Sequence, residues 1–203
     1  MTSTDSHQVR SYYDTFSQQQ LKTGVNIRHR TILRNLKQLG LRRDSAVLEI
    51  GCGIGILTRL LGGYCHKGII VATDISPKCI ELAQQHTRQM DHVRYHITDM
   101  DDFSIPDKFD FILLADVLEH IPLEKHTALF ATLKKQSHQN TAVAINIPDP
   151  FLLEWYHAHE REKLQIIDQP LHANLLLQSV YANDFYLETL YRYALHTREP
   201  DYQ

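Results

Sequence analysis

The stretch Val47-Leu-Glu-Ile-Gly-Cys-Gly-Ile-Gly55 joins an apolar run to three glycines on alternate positions, and residues 56–61 continue as Ile-Leu-Thr-Arg-Leu-Leu. The apolar run predicts a buried strand, and the residues after the glycines predict the beginning of a helix. Glycines at these three positions allow a tight turn and let backbone N–H groups approach a ligand at the helix N-terminus. The junction therefore predicts a cofactor-binding turn.

The glycine spacing and the next strand narrow the class of cofactor. A dinucleotide-binding turn of the G-x-G-x-x-G type would place its third glycine at position 56, which is Ile56 here. Residues 68–73 are apolar and end at Asp74, 19 residues after Gly55. An acid at the carboxyl end of the neighbouring strand can bind a ribose diol, in NAD-binding folds as well as others. Asp74 therefore indicates a cofactor that contains a nucleoside, but it does not distinguish NAD from other such cofactors.

Two further strands follow along the chain. Residues 93–97 alternate as a short strand and lead into Thr98-Asp99-Met100. Residues 109–115 form an apolar run, which Asp116-Val-Leu-Glu-His-Ile-Pro122 follows directly. The sequence therefore predicts polar side chains after each strand of a mostly parallel α/β sheet.

Four motifs in this order resemble those of class I S-adenosylmethionine (SAM) dependent methyltransferases of the small-molecule branch. They are Glu49 with the glycines, Asp74, Asp99-Met100 and the turn after Phe109-Asp-Phe-Ile. The resemblance implies a Rossmann-like α/β fold, with a mostly parallel central sheet flanked by helices. It also implies SAM as cofactor, S-adenosylhomocysteine as product, and a small-molecule acceptor methylated at oxygen or nitrogen. The cofactor-binding residues that it implies are Tyr13, Glu49, Gly51, Cys52, Gly53, Gly55, Asp74, Ile75, Asp99, Met100 and Ala115.

The residues just past the fourth strand are the candidates for catalysis. Methyl transfer requires alignment of the acceptor and exclusion of water, and it needs a base only if the acceptor must lose a proton. His120 is the candidate base and Asp116 the candidate positioning group. The alternative for His120 is a structural histidine that forms hydrogen bonds within the turn.

A divalent metal at the same turn is possible but not favoured. Asp116, Glu119 and His120 are spaced i, i+3 and i+4, so on one helical turn they could converge on a cation, with His157 or His159 as completing ligand. Related methyltransferases with Glu-x-x-Glu-His use a metal, but this chain has Asp at the first position. The alternative is that Glu119 accepts hydrogen bonds from the backbone or the substrate.

The chain is expected to form one domain over residues 1–203. Residues 1–40 form a helical cap, in which Tyr13 either closes over the methionine part of SAM or packs as a core residue; residues 41–147 form the SAM-binding core. Residues 148–203 form an acceptor lid, with Tyr156 and His157 as acceptor contacts, and a final antiparallel strand over residues 185–196. Seven residues follow, so the hairpin usual in this family is either very short or cut off.

The composition of the chain indicates which kinds of partner and which cellular compartment to expect. The chain has 203 residues, a formal net charge of −3 and no block of like charges, so no nucleic-acid partner is expected. Three cysteines without C-x-x-C spacing indicate reduced thiols and a cytoplasmic location, and no apolar stretch approaches the roughly 20 residues of a membrane span. The oligomeric state stays open. Two other classes compete with the enzyme: a SAM-binding regulator or non-catalytic partner subunit and, disfavoured by Ile56, an NAD-dependent reductase.

Overall fold

A computed structural model describes residues 12, 24–99, 103 and 105–194. Five strands form one sheet in the order β3-β2-β1-β4-β5, and all four pairings are parallel. The strands are β1 Ala46–Ile50, β2 Ile69–Asp74, β3 Val93–Ile97, β4 Phe109–Ala115 and β5 Ser137–Asn146. The sheet reverses its strand order between β1 and β4, which is where open α/β sheets form ligand clefts.

Six α-helices are present among the described residues, and a 3-10 turn follows β4. The helices are α1 Ile27–Gln38, α2 Ile56–Tyr64, α3 Pro77–His86, α4 Leu123–Lys135, α5 Pro150–His159 and α6 Ala173–Tyr181. The 3-10 turn spans Leu118–His120, and a second one spans Arg161–Lys163. Ser76 caps α3 through its side chain and Pro77 occupies its first turn.

Alternating strand residues divide the core between the two faces of the sheet. Leu48 and Ile50 of β1 pack in an apolar cluster with residues of α4 and α6, whereas Val47 packs in a second cluster with residues of α1 and α2. Both faces are therefore covered, which is the usual condition of a parallel sheet. The predicted fold class is confirmed.

The register brings the carboxyl ends of the strands to one edge. Ile50 pairs with Thr73 on one side and with Leu114 on the other, and Ala115 pairs with Asn146. The glycine turn, the end of β2 and the turn after β4 consequently meet at the same end of the sheet. This edge carries the candidate site.

The predicted antiparallel strand at residues 185–196 is wrong over the described residues 185–194, which form no strand. Tyr186 and Leu190 are 79% and 67% exposed, so the alternating apolar pattern has no partner strand to pair with. Within the predicted lid, helix α5 ends at His159. The division of the chain into cap, core and lid stays a prediction.

Two predicted cofactor residues, Tyr13 and Met100, lie outside the described residues. None of the described helices is both long enough and apolar enough to cross a membrane.

Candidate functional site: a cleft at the carboxyl end of the sheet

The glycine turn after β1 has a backbone that only glycine adopts readily. Gly51, Gly53 and Gly55 have φ angles of 69°, 54° and 77°, in the left-handed region. A Cβ atom on Gly51 would lie 2.5 Å from Cγ2 of Val117, and one on Gly55 would lie 2.7 Å from Cβ of Ala83. The glycines therefore serve both the turn conformation and close packing against the neighbouring segments.

Asp74 clamps this turn to the end of β2. Its Oδ2 accepts a hydrogen bond from the backbone N–H of Gly53 at 2.8 Å, and its Oδ1 accepts one from the N–H of Ser76 at 2.9 Å. The N–H of Cys52 also donates to the carbonyl of Thr73 at 2.9 Å. The carboxylate expected to bind a ribose therefore also organises the backbone around it, which the sequence alone does not reveal.

Two buried groups lie beside the turn. The Glu49 carboxylate accepts a hydrogen bond from the Thr58 hydroxyl at 2.6 Å; burial raises the pKa of Glu49 to about 8 against the lowering effect of that bond, and the charge of Asp74 adds to the rise. Burial raises the pKa of the Cys52 thiol well above its usual range as well. Cys52 packs with Ala72 and Ile80, so it is a small apolar residue rather than a nucleophile.

The expected cofactor residues converge on one cleft, with a single exception. Gly55 packs against α3 instead of lining the cleft. The others described are lining residues: Glu49, Gly51, Cys52, Gly53, Asp74, Ile75, Asp99 and Ala115. A turn with three glycines, a buried acid at the end of the next strand and a position at the strand-order reversal together fit a nucleoside cofactor.

His120 is held on one side of its ring by the loop that precedes α6. Its Nδ1 lies 2.6 Å from the carbonyl oxygen of Ile167 and 3.1 Å from Oδ1 of Asp168. Burial lowers the pKa of His120, but the hydrogen bond with Asp168 and the charge of Glu119 outweigh it and leave the pKa raised. His120 and Asp168 both line the cleft, and the pairing with Asp168 was not predicted from the sequence.

Glu119 presents a buried carboxylate to the same region. Its Oε1 lies 3.8 Å from Nε2 of His120, and its Oε2 has no hydrogen-bond partner among the described residues. Burial raises the pKa of Glu119 to about 7, although the neighbouring His120 lowers it. A buried acceptor without a partner costs free energy, so this oxygen is available for a donor that enters the cleft.

Asp116 lies in a polar network that four segments build. It has a φ angle of 55°, its carboxylate forms an ion pair with Arg28 of α1, and its Oδ1 accepts a hydrogen bond from Nδ2 of Asn146 at 2.5 Å. Oδ1 of Asn146 in turn accepts a hydrogen bond from the hydroxyl of Tyr193. Burial lowers the pKa of Arg28, with the charge of Tyr193 opposing this. The sequence analysis did not identify Arg28, Asn146 or Tyr193 as residues of the site.

Asp116, Glu119 and His120 do not adopt the arrangement that the disfavoured metal alternative requires. Asp116 precedes the 3-10 turn in a left-handed conformation and pairs with Arg28, so the three residues do not share a helical face. Within residues 12, 24–99, 103 and 105–194, no three His, Cys, Asp or Glu side chains come together as a metal site. His159 stacks on Trp155 away from the cleft.

The predicted acceptor contacts Tyr156 and His157 do not line the cleft. His157 is exposed, and its Nε2 lies 2.6 Å from the backbone carbonyl oxygen of Asp168. Tyr156 lies beneath the ammonium group of Lys163, which is 5.3 Å from the ring centre. The first turn of α5 lines the cleft instead, through residues such as Phe151, Leu152 and the buried Leu153, and the following loop adds Ile167 and Asp168.

Comparison with known proteins agrees with the fold and the cofactor-side motifs. Residues 47–138 match the family described as "Methyltransferase domain". Nodulation protein S of Bradyrhizobium diazoefficiens is 29% identical over 122 residues, which cover 58% of this chain and 57% of that protein. The N-methyltransferase NodS from Bradyrhizobium japonicum WM9, solved in complex with S-adenosyl-L-homocysteine, is 27% identical with a TM-score of 0.56, covering 63% of this chain and 64% of that chain.

A third comparison extends over most of the chain. Magnesium protoporphyrin IX methyltransferase from Synechocystis PCC 6803 shares the fold with a TM-score of 0.69 and 19% identity, and the match covers 89% of both chains. Residues 47–138 thus match the methyltransferase-domain family, and the chain has the fold of class I methyltransferases, in agreement with the resemblance of the sequence. The chain spans less than two thirds of the length of the nodulation protein and of NodS.

Proposed function

We propose that this chain transfers a methyl group from SAM to a small-molecule acceptor, at an oxygen or a nitrogen atom. One observation carries the proposal: the glycine turn clamped by Asp74 and the turn with the half-buried His120 follow the carboxyl ends of the paired strands β1 and β4 and line the same cleft. The protein family and the class I fold support it, as does the S-adenosyl-L-homocysteine bound to NodS.

The cofactor side of the cleft would hold SAM through its turn and the carboxylate at the end of β2. Asp74 would accept the ribose hydroxyls beside the two backbone N–H groups that it binds, and Asp99 and Ile75 would contact the adenine. When bound, SAM supplies an electrophilic methyl group on a sulfonium sulfur. The protein has to align the acceptor with that group and exclude water from the cleft.

His120 is suited to remove the proton of the acceptor. The carbonyl oxygen of Ile167 can only accept a hydrogen bond, so the Nδ1 atom of His120 carries the proton of the neutral ring. The lone pair is then on Nε2, on the side of Glu119. In this assignment Nε2 accepts the acceptor proton, while Asp116, already paired with Arg28, shapes the cleft mouth and is not the base.

The remaining proposals concern partner and compartment. A net charge of −3 favours a small molecule over a nucleic acid, and we infer a cytoplasmic location from the three free cysteines, all buried.

Cofactor binding and transfer are tested separately. Thermal unfolding is measured with SAM, S-adenosylhomocysteine and NADH, and we expect the first two to raise the melting temperature while NADH does not. Transfer is measured with methyl-labelled SAM and a metabolite extract, followed by separation of labelled products. A melting temperature that rises with NADH alone would identify a reductase. Binding of SAM without any labelled product would identify a SAM-binding regulator.

The catalytic role of His120 is tested with His120→Ala and, as a matched surface control, His66→Ala, which changes an exposed histidine. We expect His120→Ala to lower the single-turnover rate by roughly 10²–10⁴, the usual contribution of a general base, with little change in affinity for S-adenosylhomocysteine. Normal turnover in His120→Ala would exclude it as the base.

A further inference from the structure

The loop of residues 165–170 contacts His120 through the carboxylate of Asp168, and hydrogen bonds within the loop restrain the position of that carboxylate. Asp168 has a side chain that is 8% exposed, and its Oδ1 lies 3.1 Å from Nδ1 of His120. Its other oxygen, Oδ2, accepts a hydrogen bond from the backbone N–H of Gln165 at 2.7 Å. The carboxylate is therefore oriented from both of its oxygens, and the imidazole is oriented with it.

The same loop is docked on the active-site turn by Gln169. Its backbone N–H donates to the carbonyl of Glu119 at 2.9 Å, and its side-chain Nε2 donates to the carbonyl of Ile121 at 2.6 Å. The Gln169 Oε1 atom accepts a bond from the N–H of Leu123 at 3.3 Å. These bonds fix Asp168 and His120 in one unit, although the two residues are 48 positions apart in the sequence.

We propose that Asp168 is a positioning residue for His120: it holds the ring through Nδ1 so that Nε2 faces Glu119 and the acceptor, and it stabilises the imidazolium that forms. The proposal rests on the proposed function and adds to it a residue contributed by the loop before α6. As the acceptor's O–H or N–H bond breaks, its proton passes to Nε2 and its electron pair forms the new bond to the methyl carbon. The electron pair of the methyl–sulfur bond remains on sulfur.

The charges around the imidazole favour this assignment. Glu119 faces Nε2 from the 3-10 turn and Asp168 faces Nδ1 from the loop. Arg28 of α1 acts on Glu119, and Tyr12 lies near enough to Asp168 for that carboxylate to contribute to the raised pKa of Tyr12, after the larger effect of burial. The positive charge gained by the ring therefore lies between two acidic groups, where it is stabilised.

The pairing is tested first without cofactor, by NMR of the free protein with ¹⁵N-labelled histidine. We expect the Nδ1–H form of neutral His120 in the wild type, and a midpoint of His120 titration that moves to lower pH in Asp168→Asn. Asp44→Asn is the matched control, because it removes an exposed carboxylate paired with Arg42 and leaves His120 untouched. An Nε2–H form, or an unchanged midpoint in folded Asp168→Asn, would overturn the proposal.

The kinetic measurement uses single-turnover release of S-adenosylhomocysteine from protein loaded with SAM and the acceptor extract. We expect Asp168→Asn to lower the rate roughly 10- to 100-fold at neutral pH, to shift the pH profile with the NMR midpoint and to leave affinity for S-adenosylhomocysteine unchanged. A rate equal to that of the wild type would overturn the positioning role. If NMR shows the effect of Asp168 on His120 while the wild type transfers no methyl group, the proposed function is wrong and the Asp168–His120 contact is still supported.

Discussion

Gly55 offers a quantitative test of the turn, because two costs of replacing it can be separated. Alanine at a φ angle of 77° would pay about 1–2 kcal/mol for the left-handed conformation. Its Cβ would also lie 2.7 Å from Cβ and 2.9 Å from Cα of Ala83, and overpacking of this kind costs about 1–3 kcal/mol. We therefore expect Gly55→Ala to lower the free energy of unfolding by about 2–5 kcal/mol, measured by urea denaturation.

Two other glycines supply the controls. Gly40 has a φ angle of 98° with nothing within 4 Å of a built Cβ, so Gly40→Ala should show the conformational cost alone. Gly63 is an exposed residue of α2 with the same open space and no positive φ, so Gly63→Ala should be neutral or stabilising by up to about 1 kcal/mol. If Gly55→Ala loses no more stability than Gly40→Ala, the close approach of the turn to α3 does not constrain the sequence, and the argument is refuted.

Three further predictions concern acids of the cleft. Asp74→Ala should weaken S-adenosylhomocysteine binding in calorimetry by more than tenfold and also lower the free energy of unfolding by about 1–3 kcal/mol, since two backbone donors lose their acceptor. Because Glu49 in the folded protein keeps its proton to a pKa of about 8, against an ordinary 4.5, the folded state binds more protons across this window. Stability should fall as pH rises from 4.5 to 8, and Glu49→Gln should flatten that dependence in urea titrations. Asp116→Ala should be less stable to urea than Asp116→Asn by about 1 kcal/mol, because asparagine tolerates a φ angle of 55° and alanine does not.

The parts of the site that could be predicted are those that the local sequence determines. The Gly51 turn follows an apolar run, and Asp74 ends the next one, so both lie at strand ends whichever helices pack on the sheet. In a parallel sheet those ends meet at one edge, and the pairing of Ile50 with Thr73 places the two together. Motif order was therefore sufficient to predict that the glycine turn and Asp74 lie together.

The acceptor side could not be predicted in the same way, because its contacts join segments far apart in the sequence. Arg28 meets Asp116 from a helix before the first strand, and Asp168 meets His120 from a loop after α5. No periodicity links such pairs. The left-handed conformation of Asp116 also breaks the i, i+3, i+4 argument for a metal, since that spacing has meaning only on a continuous helix.

The two sides of the cleft differ in how they tolerate substitution, and this determines how the methyl acceptor can be changed while the cofactor stays the same. On the cofactor side, Asp74 binds backbone N–H groups, so substitutions at neighbouring side chains leave its two donors in place. On the acceptor side, the network of Arg28, Asp116 and Asn146 consists of side chains, and each can be replaced without breaking the sheet. Under the proposed function, we therefore expect substitutions in α1, at the end of β5 or in the loop before α6 to change the acceptor, while residues 47–55 and Asp74 stay as they are.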